Sequence, residues 1–146
     1  MLKVLIAEDE LIIADMLEQF LIEQGFDVCG IARTVTDAVA LGELHKPDVA
    51  ILDVRLARGG YGTEVAKHLK RGAQLGVLYA TGESRNSNLS PSDGEAVITK
   101  PYRLEDVVRA LEIVHEIATV GTSAPPYPSG LQLLAKSTPS AQAPAA

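Results

Sequence analysis

Four apolar residues and one carboxylate, Val49-Ala50-Ile51-Leu52-Asp53, form the most informative stretch of this chain. An apolar run of this length without polar alternation is typical of a strand covered on both faces. The run ends at an acidic side chain, which marks the point where the strand leaves the core. We therefore predict a buried strand with Asp53 at its carboxyl end.

Three other apolar runs end in polar side chains in the same way. Glu8-Asp9 follow residues 3–7, Thr81 follows residues 75–80, and Lys100 follows residues 96–99. If the strands are parallel neighbours, their carboxyl ends meet at one edge of the sheet. The pattern thus predicts a cluster of three carboxylates, a hydroxyl and an ammonium group.

Helical periodicity separates these strands. Helices are predicted over residues 10–24, 36–45, 63–70 and 104–118, with a further strand over 26–32. The polar stretch 84–94 contains Asn, Ser and Pro, so a helix there should be short or irregular. The predicted core-facing residues of the first helix are Ile13, Met16, Leu17, Phe20 and Leu21.

Strands that alternate with helices indicate parallel pairing with right-handed crossovers. The predicted fold is therefore α/β, with a doubly wound five-stranded parallel sheet. In this architecture ligands bind outside the carboxyl ends of the strands, where the polar residues are expected.

The composition bounds the class of protein. The chain has 146 residues, 47% of them hydrophobic, and a net charge of -6, which is unfavourable for binding nucleic acid. The first apolar run is interrupted by Glu8-Asp9-Glu10 and is too short for a signal peptide or a membrane span. We expect a cytoplasmic protein without nucleic-acid or membrane partners. The single cysteine, Cys29, is interpreted as a small buried hydrophobe rather than a reactive thiol.

The composition changes after residue 120. Five of the eight prolines lie within residues 125–146, among Ser and Ala. We predict one domain over residues 1–120 and a Pro/Ser/Ala-rich tail over 121–146. Leu131-Gln132-Leu133-Leu134 is the apolar cluster of this tail. It is either a chance cluster or a segment that docks on this domain or on a partner.

The polar cluster also predicts a chemistry. Glu8, Asp9 and Asp53 would repel one another, and a divalent cation relieves that repulsion. Few carboxylates with water molecules suit Mg²⁺. Lys100 and the hydroxyl of Thr81 add the donors that bind a phosphoryl group, and Asp53 can itself be the nucleophile that forms an acyl phosphate.

With these motifs the chain resembles a response-regulator receiver domain of two-component signalling, over residues 1 to about 120. The motifs are Ala7-Glu8-Asp9-Glu10, Leu52-Asp53-Val54-Arg55-Leu56, Ala80-Thr81-Gly82 and Thr99-Lys100-Pro101-Tyr102. The resemblance implies the flavodoxin-like strand order 2-1-3-4-5. It also implies a phosphorylation-dependent signalling module, with a sensor histidine kinase or a histidine phosphotransfer protein as its partner.

The resemblance assigns roles to the metal ligands. Asp9 and Asp53 would bind Mg²⁺ directly and Glu8 through a water molecule. The backbone carbonyl of Arg55 would complete the coordination by the protein.

It also assigns the phosphoryl chemistry. Asp53 would accept the phosphoryl group from a phosphohistidine. Lys100 would pair with the phosphoryl oxygens, and Thr81 would hydrogen-bond one of them and move when the group arrives. The Lys100–Pro101 peptide bond would be cis, and output would run through contacts with another protein.

Two departures from the family pattern concern how the signal leaves the site. Val97 stands where receiver domains usually carry an aromatic switch residue. Tyr79-Ala80-Thr81-Gly82 resembles a single-domain subgroup with a Phe-Ala-Thr-Gly signature. We therefore hypothesise that switching reorders the loop 82–94. Leu11, Ile12 and Ile22 are expected on the exposed face of the first helix, as a patch for the phosphodonor.

Two alternative functions are less consistent with the sequence. An aspartyl-phosphate phosphohydrolase needs a second acid two residues after the nucleophile, and Arg55 occupies that position. A phosphate-independent interaction domain on the same scaffold usually lacks one of the acids, the Thr or the Lys, and this chain has all of them. Both alternatives rank below the signalling module.

Overall fold

The computed structural model describes residues 1–70, 74–82 and 88–134. Strands and helices alternate along most of that length. In chain order they are β1 (Lys3–Ala7), α1 (Leu11–Glu23), β2 (Asp27–Ala32), α2 (Val35–His45), β3 (Val49–Asp53), α3 (Gly62–Leu69), β4 (Gly76–Thr81), β5 (Ala96–Thr99), α4 (Leu104–Val120) and β6 (Leu131–Leu133). A short 3-10 helix, Ala57–Gly59, precedes α3.

The strands form one sheet in the order β2-β1-β3-β4-β5-β6. The pairs among β1 to β5 are all parallel, which confirms the predicted doubly wound order 2-1-3-4-5. The sixth strand was not predicted. It comes from the tail and pairs antiparallel with β5 at the edge of the sheet.

Two apolar clusters, one on each face of the sheet, make up the core. The first contains Val4, Ile51 and Ile98 together with residues of α1 and α4. The second contains Leu52 and Tyr79 together with residues of α2 and α3. Alternate side chains of a central strand point to opposite faces of the sheet, and each face is covered by one of these clusters. Every position of the strand is therefore buried, which explains the unbroken apolar runs.

The prediction that Met16 faces the core is wrong. Its side chain is 56% exposed. The buried stripe of α1 runs instead through Ala14, Leu17 and Leu21. Met16 is one residue from Leu17, about 100° around the helix, and so lies outside this stripe.

The described part of the connection between β4 and β5 agrees with the prediction of a short or irregular helix. This part, residues 88–95, contains a turn and no helix. Asp93 organises this turn, because its Oδ2 accepts hydrogen bonds from the backbone N–H of Ser90 at 2.8 Å and from the Ser90 hydroxyl at 3.2 Å. Residues 83–87 of the hypothesised switch loop lie outside the described residues.

The apolar cluster of the tail docks on the sheet. Leu131 and Leu133 pack against the core cluster beneath α1 and α4, and Leu134 packs against the cluster on the other face. Of the two interpretations of this segment, the structure supports docking on the domain itself. Among the described residues, no helix is both long and apolar enough to cross a membrane.

Cys29 is half-buried, and its Sγ lies 3.3 Å from the backbone oxygen of Val4. Burial raises the pKa of this thiol, so the reactive thiolate is disfavoured. This environment agrees with the predicted unreactive thiol, although the side chain is less buried than predicted.

Candidate functional site

The carboxyl ends of the central strands surround one open pocket. Parallel pairing places β1, β3, β4 and β5 side by side, so the polar residues that follow them converge. The predicted site residues that line this pocket are Asp9, Asp53, Arg55, Thr81 and Lys100. The sixth, Glu8, contacts the Lys100 side chain directly.

Three carboxylates meet at the base of the pocket. Glu8, Asp9 and Asp53 each offer an oxygen atom, and these atoms all lie within 4.8 Å of one another. Glu8 and Asp53 are buried, at 3% and 6% exposure. The backbone N–H of Glu8 donates to the Ala32 oxygen at 2.9 Å, which fixes the end of β1 against β2.

Lys100 joins two of these carboxylates. Its Nζ lies 2.8 Å from Asp53 Oδ1 and 3.0 Å from Glu8 Oε1. The other oxygen of Glu8, Oε2, accepts a hydrogen bond from the backbone N–H of Glu10 at 3.0 Å. The Lys100–Pro101 peptide bond is cis, as the resemblance implied. The Lys100 ammonium group therefore compensates part of the negative charge of the buried Glu8 and Asp53 carboxylates.

Burial and like charge shift the acid–base properties of the site. Desolvation, together with the hydrogen bond and charge of Glu8, raises the pKa of Asp53 to about 8 despite the opposing effect of Lys100. Desolvation alone would lower the pKa of Lys100. Its contacts with Asp53 and Glu8 outweigh that effect and raise the pKa above its usual range. The Asp53 carboxylate is thus a destabilised anion that a further cation would stabilise.

The backbone after β3 is tightly packed around Asp53. The N–H of Val54 donates to the Ala80 oxygen at 3.0 Å, and the N–H of Gly62 donates to the Val54 oxygen at 2.9 Å. A Cβ added at Gly62 would collide with the backbone oxygen of Asp53. A glycine at this position lets α3 begin directly against the chain that carries Asp53.

Arg55 and Thr81 border the pocket from neighbouring elements. Arg55 forms an isolated antiparallel bridge with Tyr61, which positions its backbone beside the acidic cluster. Thr81 is the last residue of β4 and pairs with Thr99 of β5. The N–H of Lys100 donates to the Thr81 backbone oxygen at 2.8 Å, so the strand ends that carry these side chains are directly linked.

The donor set fits Mg²⁺. It consists of carboxylate oxygens in a pocket open to solvent, without sulfur or imidazole ligands among them. Hard divalent cations prefer such oxygen donors, and Mg²⁺ usually keeps several water molecules. Glu8, Asp9 and Asp53 would hold the ion, and Arg55 lines the same pocket.

Sequence reasoning missed the contribution of Tyr102. This half-buried side chain lies close enough to the site that burial, with the charge of Glu8, raises its pKa to about 12. Tyr102 also lines an apolar recess beside the acidic pocket, together with Ile13, Met16, Pro101 and Leu104. The feature of the sequence that could have identified Tyr102 as a site residue is its position directly after Lys100-Pro101.

Comparison with known proteins agrees with this geometry. Residues 4–112 match the family model described as the response regulator receiver domain. The transcriptional regulatory protein PdtaR of Mycobacterium tuberculosis is 37% identical over 114 residues. That match covers 76% of this chain and 55% of PdtaR, so the chain spans about half the length of this relative.

Solved structures give the same result. The response regulator PhyR from Brucella abortus superposes with a TM-score of 0.63 at 29% identity, covering 78% of this chain and 46% of that one. The receiver domain of a modulated diguanylate cyclase from Desulfovibrio desulfuricans has a TM-score of 0.69 at 24% identity, covering 83% and 98%, which shows the shared fold. The chain belongs to the response regulator receiver domain family.

Proposed function

We propose that this chain is a phosphorylation-dependent signalling receiver in which Asp53 accepts a phosphoryl group. The observation that carries the proposal is the position of Lys100, whose Nζ lies 2.8 Å from Asp53 Oδ1 and 3.0 Å from Glu8 Oε1. A buried carboxylate at the base of an open acidic pocket, in contact with a lysine, is suited to bind and accept an anionic phosphoryl group.

The transfer step follows from this arrangement. An oxygen of the ionised Asp53 attacks the phosphorus of a phosphohistidine, and a P–O bond forms as the P–N bond breaks. The electron pair of the broken bond stays on the imidazole nitrogen of the donor. Lys100 then moves from the Asp53 carboxylate to the new phosphoryl oxygens, and the Thr81 hydroxyl donates to one of them.

Mg²⁺ would neutralise the charge that develops on the transferring group. Glu8, Asp9 and Asp53 would hold it. Because Lys100 already contacts two of these acids, the pocket keeps its carboxylates close together before any phosphodonor arrives.

The donor is proposed to be a sensor histidine kinase or a histidine phosphotransfer protein that docks on α1. This helix exposes four large apolar side chains: Leu11 (50%), Ile12 (76%), Met16 (56%) and Ile22 (54%). The recess that Met16 shares with Tyr102 borders the entrance, since it also includes Glu10 and Lys100. A helical partner on this face would reach Asp53 without crossing the sheet.

The metal requirement tests this function. With acetyl phosphate as donor, ³¹P NMR of the full chain should show an acyl phosphate signal that requires Mg²⁺ and disappears when EDTA is added. An acyl phosphate that forms equally well in EDTA would contradict the role of the acidic cluster. Absence of the signal at saturating Mg²⁺ would contradict the function itself.

A further inference from the structure

The tail beyond α4 returns to the sheet as an ordered segment, residues 122–134, which we name the C-terminal strap. The helix ends at Gly121, whose positive φ of 98° turns the chain back. The strap then runs to the free edge of β5 and ends there as β6.

Polar contacts hold the first half of the strap near α4. Arg109 Nη2 donates to the Ala124 backbone oxygen at 3.2 Å. The Ser123 hydroxyl donates to a carboxylate oxygen of Glu116. Within the strap itself, the Tyr127 hydroxyl donates to the Ser123 backbone oxygen at 2.8 Å. These groups are exposed, so each contact contributes little stability in competition with water.

The second half completes the sheet. Three residue pairs join β6 to β5, and the flanking contacts extend the ladder: Thr99 N–H donates to the Gly130 oxygen at 3.1 Å, and Leu134 N–H donates to the Glu95 oxygen at 2.9 Å. The strap thereby covers the edge of β5, which would otherwise present unpaired backbone groups.

The strand that the strap covers leads directly into the site's lysine. Thr99, which donates to the strap, is followed directly by Lys100, whose Nζ contacts Asp53. On its other side Thr99 pairs with Thr81. The carboxyl end of β5 thus contacts the strap on one side and Thr81 of β4 on the other, and it leads into Lys100.

From this arrangement we infer that the strap is an intramolecular cover of the β5 edge that loosens when Asp53 is phosphorylated. The inference rests on the proposed function. When Lys100 leaves Glu8 and Asp53 for the phosphoryl oxygens, Thr99 shifts with it, and the terminal bond to Gly130 is lost first. A strand of three residues with half-exposed side chains is held weakly enough to respond.

A loosened strap exposes a docking edge. The strap itself shows what fits there, namely an antiparallel extended segment with apolar side chains at alternate positions, as in Leu131 and Leu133. The partner is therefore an extended segment of another protein that adds a strand to β5. This mode of output does not need an aromatic residue at Val97.

Amide exchange tests the inference directly. NMR hydrogen exchange is measured on the full chain with Mg²⁺, with and without excess acetyl phosphate, and intact mass records the adduct in the same samples. The amides of Leu134 and Thr99 should exchange at least about fivefold faster in the phosphorylated protein. The Gly76 amide, bonded to the Asp48 oxygen at 3.0 Å at the opposite end of the sheet, should not change.

Thermodynamic linkage between phosphorylation and strap loosening requires that each favours the other. If phosphorylation loosens the strap, then loosening the strap favours phosphorylation by the same factor. Leu133→Lys should raise the ratio of phosphorylated to unphosphorylated protein, measured at equilibrium with a phosphohistidine donor, by about fivefold. The matched control is Leu44→Lys, at a position 74% exposed on α2, which should leave the ratio unchanged.

The outcomes separate this inference from the proposed function. An adduct with unchanged or slower exchange at Leu134 and Thr99 would overturn the strap's role and leave Asp53 phosphorylation intact. Absence of any adduct would overturn the proposed function and the inference together. Leu134 protection that rises with protein concentration would place the strand on a second copy and contradict an intramolecular cover.

Discussion

Tyr79 lies opposite Val97 on the neighbouring parallel strands β4 and β5, and both side chains enter the same core cluster. The aromatic ring absent from position 97 is therefore present on the adjacent strand. Tyr79 is fully buried, and its hydroxyl donates to the Asp93 backbone oxygen at 2.7 Å. It connects the strand that ends at Thr81 with the turn before β5.

Tyr79→Phe should destabilise the protein by about 1–2 kcal/mol, because the partly buried Asp93 carbonyl loses the hydrogen bond from a fully buried side chain. Chemical denaturation measures this change. The matched control is Tyr127→Phe, which removes a hydroxyl bonded to Ser123 at 2.8 Å from a side chain that is 39% exposed. An equal decrease in the free energy of unfolding for the two variants would show that the Tyr79 hydrogen bond contributes no more stability than an exposed one.

Lys100→Ala should separate metal binding from phosphoryl acceptance. Removal of the ammonium group leaves the acidic cluster more negative, so Mg²⁺ should bind about tenfold more tightly in calorimetric titration. Phosphorylation by acetyl phosphate should slow by about 100-fold, because the phosphoryl oxygens lose their cation. Lys70→Ala, which breaks an ion pair with Glu95 away from the pocket, should change neither. Weaker Mg²⁺ binding in Lys100→Ala would contradict the proposed arrangement.

The raised pKa of Asp53 predicts a pH-dependent stability. Burial and Glu8 raise the pKa of Asp53 in the folded, metal-free protein to about 8, whereas an unfolded Asp ionises near pH 4. Between those values the folded state binds more protons, so the free energy of unfolding falls as pH rises. Thermal unfolding without Mg²⁺ should show Asp53→Asn gaining stability over the wild type from pH 5 to pH 8. A stability difference between Asp53→Asn and the wild type that stays constant with pH would contradict the raised pKa of Asp53. Saturating Mg²⁺ should reduce this stability difference.

Leu11→Glu should slow phosphotransfer from a phosphorylated sensor kinase while leaving phosphorylation by acetyl phosphate unchanged. The side chain is half exposed on α1, so the charge should affect partner docking rather than folding. Leu44→Glu on α2 is the matched control. Equal loss of both reactions in Leu11→Glu would indicate damage to the domain and not to the docking surface.

Much of this fold could be predicted because its central strands are buried on both faces. Their apolar runs are unambiguous, and each stops where the chain reaches the pocket, as at Asp53 and Thr81. The polar ends therefore indicated both the strand direction and the members of the site. The direct contact of Lys100 with Glu8 and Asp53 was not predicted, because the resemblance assigned Lys100 to the phosphoryl oxygens; it arises because residues far apart in sequence meet at the sheet edge.

The remaining features depend on contacts that a local pattern does not show. Met16 has the apolar character of a core residue, yet the small Ala14 occupies the buried stripe of α1. The tail reads as a polar, Pro-rich extension, and three residues are too few for a strand pattern. Leu131–Leu133 form β6 only because the edge of β5 lies within reach.

The central claim is that Asp53 is the phosphoryl acceptor, and intact-mass spectrometry after incubation with acetyl phosphate and Mg²⁺ tests it most directly. Wild-type protein should gain the mass of one phosphoryl group. Asp53→Asn should gain none, and Asp27→Asn, at an exposed position on β2, should behave as the wild type. An unmodified wild type, or an undiminished adduct on Asp53→Asn, would contradict the account.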